Sequence, residues 1–246
     1  MSVRLLVVAA LAWEARQILR HIEVVQPAED AGATLWSGRH GDVDVWVLKT
    51  GMGQEQAARA LRWAPRMPRP DAVLSTGCAG GLAAGLVPGE VVVAQDVVTS
   101  DGISRPTSSA WRERYAAASA AAGLRARQGT ILSNTGIVSA TRDKRRLAEA
   151  SGAVAVEMEA AAIAGWASQA GVPFAAARVI LDSAEMPVAS DVAALTTSSG
   201  AVSPRRLLGA LIRRPGIVRE LFAVAMSARK CRRSLADLHR ELLRGL

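Results

Sequence analysis

Apolar and polar positions alternate along this chain in a β/α rhythm. Leu5 to Ala10 is an unbroken apolar run, the pattern of a strand buried on both faces, and Glu14 to Arg20 then reads as a helix. Ala33 to Ser37 and Val43 to Leu48 flank the turn residues Gly38 to Asp42, which predicts a hairpin. The second run leads through Thr50-Gly-Met-Gly53 into a helix from Gln54 to about Trp63. After the break at Pro68 and Pro70, Asp71 to Thr76 is a strand that ends in Gly77-Cys-Ala-Gly-Gly81. Leu82 to Gly89 reads as a loop, Glu90 to Val98 as a strand, and Thr99 to Ser109 as a polar surface loop. Ala110 to Ala122 is an Ala-rich helix, Gln128 to Ser133 a strand, and Arg142 to Ala150 a charged helix. Val154 to Glu159 opens a further helix that Gly171-Val-Pro173 ends, and Phe174 to Leu181 is a buried strand carrying Arg178. The alternation predicts an α/β three-layer sandwich with a central mixed sheet.

Composition adds a division of the chain. From Ser203 onward eleven Arg or Lys face three acids, whereas residues 1 to 202 carry nineteen of each sign. The whole net charge of +8 therefore sits in the C-terminal stretch. We expect a neutral body at 1–202 and a basic helical tail at 203–246. In the tail, Ser203-Pro204 reads as a helix start and Pro215-Gly216 as a break. A second helix is expected from Ile217 to about Leu243, with Leu221, Val224, Ala225, Ala228, Leu235, Leu238 and Leu242 as its apolar stripe. Such a helix can lie on an anionic membrane surface or pack on the body. Phe222 is the tail's one aromatic residue, which argues against nucleic-acid binding. No apolar run reaches the roughly 18 to 20 residues of a membrane span. Cys78 and Cys231 make neither a disulfide framework nor a metal site, so no metal or cofactor is expected and a reducing cytoplasm fits.

The candidate chemistry lies at strand ends. Glu157 and Glu159 flank Met158 at the junction of an apolar run and a small-residue helix. An unpaired carboxylate is costly in such surroundings, so something polar must meet it there. A helix N-terminus is the simpler answer and a binding site the other. Glu14 and Asp182 each follow a buried strand, where open α/β sheets build their sites.

Thr50-Gly-Met-Gly53, Ser75-Thr-Gly-Cys-Ala-Gly-Gly-Leu82, Val156-Glu-Met-Glu159 and Arg178-Val-Ile-Leu-Asp182-Ser-Ala-Glu185 occur in that order. Together they resemble the nucleoside phosphorylase and nucleosidase superfamily, most closely its methylthioadenosine/S-adenosylhomocysteine nucleosidases. The resemblance implies that Asp182 is the general acid toward N7 of a purine and that Glu14 activates water. It implies that Glu159 and Met158 grip the ribose beside Glu157, that Cys78, Ala79 and Gly80 line the site, and that Ile137 and Val138 face the base. It further suggests a homodimer. The Gly-rich loop holds no Arg for phosphate, which favours hydrolysis, with Arg39, His40 and Arg178 as remaining anion ligands. Leu181 stands where a Ser is usual, and Asn134-Thr135 replaces a Gly-Asp pair. The tail, with Leu211-Ile-Arg-Arg-Pro215, resembles hopanoid-associated nucleosidases or phosphorylases, implying a lipid-linked adenosine substrate and peripheral contact with the membrane.

Overall fold

The computed structural model describes residues 3–25, 27–30, 32–186 and 217–246. Its strands are β1 (Val3–Ala9), β2 (Glu23–Val24), β3 (Ala28–Asp30), β4 (Ala33–His40), β5 (Val43–Lys49), β6 (Ala72–Gly81), β7 (Val91–Thr99), β8 (Ser104–Pro106), β9 (Ala126–Ser133), β10 (Ala155–Glu157) and β11 (Phe174–Asp182). The helices are α1 (Ala12–Leu19), α2 (Gln54–Ala60), α3 (Ser109–Ala121), α4 (Thr141–Ser151), α5 (Ala160–Gln169) and α6 (Ile217–Arg244). All eleven strands belong to one mixed sheet in the order β10-β9-β7-β11-β6-β1-β5-β4-β2, with β3 on β4 and β8 on β7.

The sheet is buried on both faces, as the run Leu5 to Ala10 predicted. Leu6 and Val8 of β1 face a core completed by α2 and α5, while Leu5, Val7 and Ala9 face one completed by α1, α3 and α6. The result is the expected three-layer α/β sandwich. Ala160, Ala164 and Ala167 of α5 are fully or almost fully buried, and their small side chains bring that helix close to the sheet. Ala155–Glu157, read from the sequence as the opening of a helix, is instead the buried strand β10, and three further short strands escaped the sequence reading: β2, β3 and β8. They are polar and mostly exposed, and edge pairing with β4 and β7 alone holds them extended. Thr99 to Ser109 is therefore a loop only in part.

The larger difference concerns β6. The strand continues through the glycines to Gly81, pairing with β11 up to Gly80 and antiparallel with β10 at Gly80 and Gly81. Since β10 also pairs with β9, the open edge of the sheet curls into a ring beside the strand ends. Gly77 sits at φ 143°, a conformation that side-chain-bearing residues avoid.

The first tail helix expected, with Ser203, Pro204 and the Leu211–Pro215 motif, lies outside the described residues. The second is α6. Its stripe divides: Leu235, Leu238 and Leu242 are buried in the core against α1, α3 and β11, whereas Ala225 is exposed. Cys231 is fully buried and forms a disulfide with Cys78 of β6, 153 positions away. This corrects the reading of two unconnected cysteines; at that separation no spacing signal could announce the pairing. Among the described residues no helix is long and apolar enough to cross a membrane.

His239 of α6 is buried at 1% exposure, with Nε2 2.9 Å from Thr76 Oγ1 and Nδ1 without a partner among the described residues. Burial, aided by His21, pushes its pKa down to about 3. The unfolded chain protonates this ring near 6.5 and the folded one only near 3, so stability is present above 6.5 and is lost as pH falls between these values. The loss amounts to about 1.4 kcal/mol per pH unit in that window. In thermal melts from pH 7 to pH 4, wild type should lose more of its Tm than His239→Gln does.

Candidate active site

The ends of β1, β6, β10 and β11 surround a cavity of about 350 Å³. Its lining includes all of Glu14, Cys78, Ala79, Gly80, Ile137, Val138, Glu157, Met158, Glu159 and Asp182. These ten residues meet in one place, whereas the proposed anion ligands Arg39, His40 and Arg178 are not in the lining.

Glu14 is 4% exposed in the first turn of α1. Its carboxylate accepts the Leu11 N–H and the Cys78 N–H, each at 2.9 Å. It lies directly over Gly77, where a Cβ would come within 2.8 Å of Oε1. Glycine is required there because the acid occupies the side-chain position. Burial pushes the Glu14 pKa up, and the two backbone donors pull against that shift.

Glu157 and Glu159 divide the two readings of the acidic pair between them. Glu157 is the helix-end acid. It accepts the N–H groups of Glu159 and Ala160 at the start of α5 and the guanidinium of Arg178 at 2.7 Å. Glu159 turns into the cavity and accepts the Gly53 N–H at 2.6 Å. The Gly-x-Gly turn therefore presents its N–H to a carboxylate of the protein itself. Burial first and repulsion from Glu157 second push the Glu159 pKa up to about 8.

Arg178 is 2% exposed in the middle of β11, and it donates to Glu157, Ser75 Oγ and the Ala177 carbonyl. These partners engage three of its five N–H donors. Arg39 and His40, the other proposed anion ligands, are far from the site on β4: Arg39 pairs with Asp44, and the His40 ring bonds the His21 carbonyl. Both are absent from the cavity lining, because the hairpin lies at the opposite edge of the sheet.

Asp182, at the end of β11, rests against Gly80, where a Cβ would lie 3.3 Å from Oδ2. It forms an ion pair with Lys144 of α4, a lysine with no exposure at all. Burial pushes the Asp182 pKa up and Lys144 opposes it. Sequence reading missed Lys144 within a helix crowded with charge. The one signal was its spacing from Leu147 and Ala148, which pack beside it on the inner face.

The rest of the cavity lining is largely apolar. Leu11, Trp13, Leu181 and Met186 contribute to it from the body, and Val224 and Ala228 contribute from α6. Arg232 of α6 also lines the cavity, with its guanidinium 5.2 Å from the ring centre of Trp13. Among the described residues no cluster of His, Cys, Asp or Glu is placed to hold a metal ion.

Carboxylates at the end of a mixed sheet, around a cavity otherwise largely apolar in its lining, define an α/β sandwich of the nucleoside phosphorylase and nucleosidase class. The chain belongs to the phosphorylase superfamily, whose family model matches residues 4–213. It is 30% identical over 196 residues to the 5'-methylthioadenosine/S-adenosylhomocysteine nucleosidase of Glaesserella parasuis serovar 5, covering 73% of this chain and 85% of that protein. The nucleosidase of Neisseria meningitidis in complex with methylthio-immucillin-A has a similar structure, with a TM-score of 0.78 at 21% identity over 99% of both chains. The futalosine hydrolase of Helicobacter pylori strain 26695 is similar at a TM-score of 0.77 and 18% identity, over 100% of this chain and 99% of that one.

The raised Glu159 pKa has a consequence for stability. The unfolded carboxyl titrates near 4.5 and the folded one near 8, so stability is highest below 4.5 and is lost as pH rises to about 8. Glu159→Gln removes that loss. Its Tm relative to wild type should climb between pH 5 and pH 8 and level off above.

Proposed function

We propose that the protein is a purine nucleosidase that hydrolyses the N-glycosidic bond of an adenosine derivative and releases adenine. The observation that carries this reading is the convergence of Glu14, Glu159 and Asp182 on one cavity. Cleavage of such a bond passes through an oxocarbenium-like sugar, which asks for an acid on the leaving base and a carboxylate that prepares water on the opposite face. In this reading Asp182 serves N7, Glu14 holds the water, and Glu159 with Met158 binds the ribose hydroxyls. Ala79, Gly80, Ile137 and Val138 form the walls around base and sugar. Hydrolysis is preferred to phosphorolysis because two of the cations near the cavity, Arg178 and Lys144, are engaged by internal partners. A phosphate nucleophile would also meet the charge of Glu14.

For the group on the 5′ carbon, we propose a bulky apolar substituent, with adenosylhopane converted to ribosylhopane in hopanoid biosynthesis. Two features support it. α6 adds Val224 and Ala228 to the cavity lining, and the same helix exposes Phe222 and Met226 beside Arg229, Lys230 and Arg233. An apolar strip among basic residues suits the surface of an anionic bilayer. A second reading is a methylthioadenosine/S-adenosylhomocysteine nucleosidase. The relative from Glaesserella parasuis favours it, and Arg232 in the cavity lining is suited to the carboxylate of a homocysteine group.

Free adenine release from a panel of 5′-modified adenosines, with and without phosphate, tests these readings. Adenine and a free ribosyl product should appear at a rate that phosphate does not change. Asp182→Asn and Glu14→Gln should each lower that rate by about 10² to 10⁴. A sugar 1-phosphate formed only with phosphate would refute hydrolysis, and full activity in Asp182→Asn would refute the site assignment.

The wall from α6 makes a separate prediction. Ala228→Asp places a charge beside the 5′ group. It should lower kcat/KM for substrates with long apolar 5′ arms roughly 10-fold or more, relative to methylthioadenosine. Equal losses on both substrates would mean that the 5′ group does not reach α6.

A further inference from the structure

Lys144 is the one fully buried ammonium among the described residues, and the proposed chemistry leaves it without a task. It reaches in from α4 and contacts Asp182 Oδ2, the Ser183 carbonyl at 2.7 Å and the Met186 carbonyl at 2.9 Å. These three acceptors take all three of its N–H bonds. A tie for the turn after β11 needs no charge, and a buried ammonium costs several kcal/mol unless an anion answers it. The anion here is the carboxylate that the proposed function makes the general acid. That creates a conflict: an acid that faces an ammonium is ionised and holds no proton to give.

We propose that Lys144 is a positioning residue that stores the proton of the general acid and passes it through Asp182 to the leaving base. This rests on the reading of Asp182 given above. The pair carries one proton, which resides on the Lys144 nitrogen in the open site. When the purine fills the cavity and covers the part of Asp182 still open to water, the carboxylate loses its remaining solvation and the proton shifts to Asp182 Oδ2. It moves on to N7 as the C1′–N9 bond breaks and its electron pair goes to the base. Glu14 takes a proton from the water whose oxygen bonds to C1′. Lys144 is then a neutral amine and Glu14 a carboxylic acid. Return of that proton through solvent to Asp182, and from it to Lys144, resets the site, and the net change is one water added across the glycosidic bond.

The surroundings leave the pair to itself. On α4, Arg142, Asp143, Arg145 and Arg146 are exposed and absent from the cavity lining, and Arg232 of α6 lies over Trp13. Across it, Glu157 and Arg178 bind each other, Glu159 binds Gly53 N–H, and Glu14 binds Leu11 and Cys78 N–H. Of the charged groups that face Asp182, Lys144 is the one bonded to it.

The test uses the full chain and the panel member that releases adenine fastest. Lys144→Met keeps the volume and removes the proton. It should lower kcat on the order of 100-fold, the scale of a lost proton transfer. It should also move the basic limb of the kcat/KM profile to lower pH by a unit or more, because the proton then depends on Asp182 alone and no longer on the pair. In Lys144→Ala, added propylamine should restore rate, and guanidinium, which cannot give up its proton at these pH values, should not. A Lys144→Met enzyme with an unmoved basic limb, or Lys144→Ala rescued equally by guanidinium, overturns the proposal and leaves Lys144 as a structural tie. Asp182→Asn separates the two levels of the argument. If it keeps full rate, the general-acid reading fails and the relay with it. If it loses rate while Lys144→Met does not, the relay alone fails.

Discussion

A single buried guanidinium holds the carboxylates of the cavity together. Arg178 stands in the centre of β11 and binds Glu157, while Glu159 and Glu14 also lie within its field. Burial works against its charge, and the three acids outweigh that penalty. Each side needs the other. Without Arg178 the acids would repel one another in an apolar interior, and without the acids a charged Arg could not occupy a strand buried on both faces. Removing one member of such a pair generally costs about 3 to 5 kcal/mol, a large part of a domain's stability. Glu157 extends this anchor to the first N–H groups of α5, so the same contact sets where that helix begins and where Glu159 points.

The glycines of β6 are the geometric counterpart of that charge arrangement. Gly77 leaves room for Glu14 and Gly80 for Asp182, so acids carried on α1 and β11 both press on a neighbouring strand. A Cβ at Gly77 would meet the Glu14 carboxylate at 2.8 Å, closer than atoms can pack. The strand also curls at its glycine end to pair with β10, which brings Glu157 and Glu159 to the same edge. Backbone thinness and acid placement are one design.

How much of this was legible follows from the range of the signals. β1, β7 and β11 were visible because largely buried strands read as apolar runs, and α5 because its small residues recur at helical spacing. Glu14, Glu159 and Asp182 were visible because they break apolar stretches at strand ends, where an acid is costly without a purpose. The strands at Glu23–Val24 and Ala28–Asp30 carry no such pattern; a neighbour's hydrogen bonds make them. The Cys78–Cys231 bond, the Arg232–Trp13 stack and the Lys144–Asp182 pair each join residues that only the folded chain brings together. Lys144 shows the limit best: its helix looks like a solvated face, and one lysine in it is fully buried against an acid of the cavity.

α6 raises a different question, because it belongs to the core and to the site at once. Its C-terminal half is fixed by Leu235, Leu238 and Leu242, and the Cys78–Cys231 bond ties its middle to the strand that carries Gly77 and Gly80. Its preceding turns supply Val224 and Ala228 to the cavity lining. The wall proposed to face the 5′ group is therefore set by a helix whose position depends on the rest of the fold. In the proposed reading the sheet carries base and sugar chemistry, and α6 the choice of 5′ substituent. On that division, changes on the cavity face of α6 can alter which adenosine derivative is accepted without touching Glu14, Glu159 or Asp182.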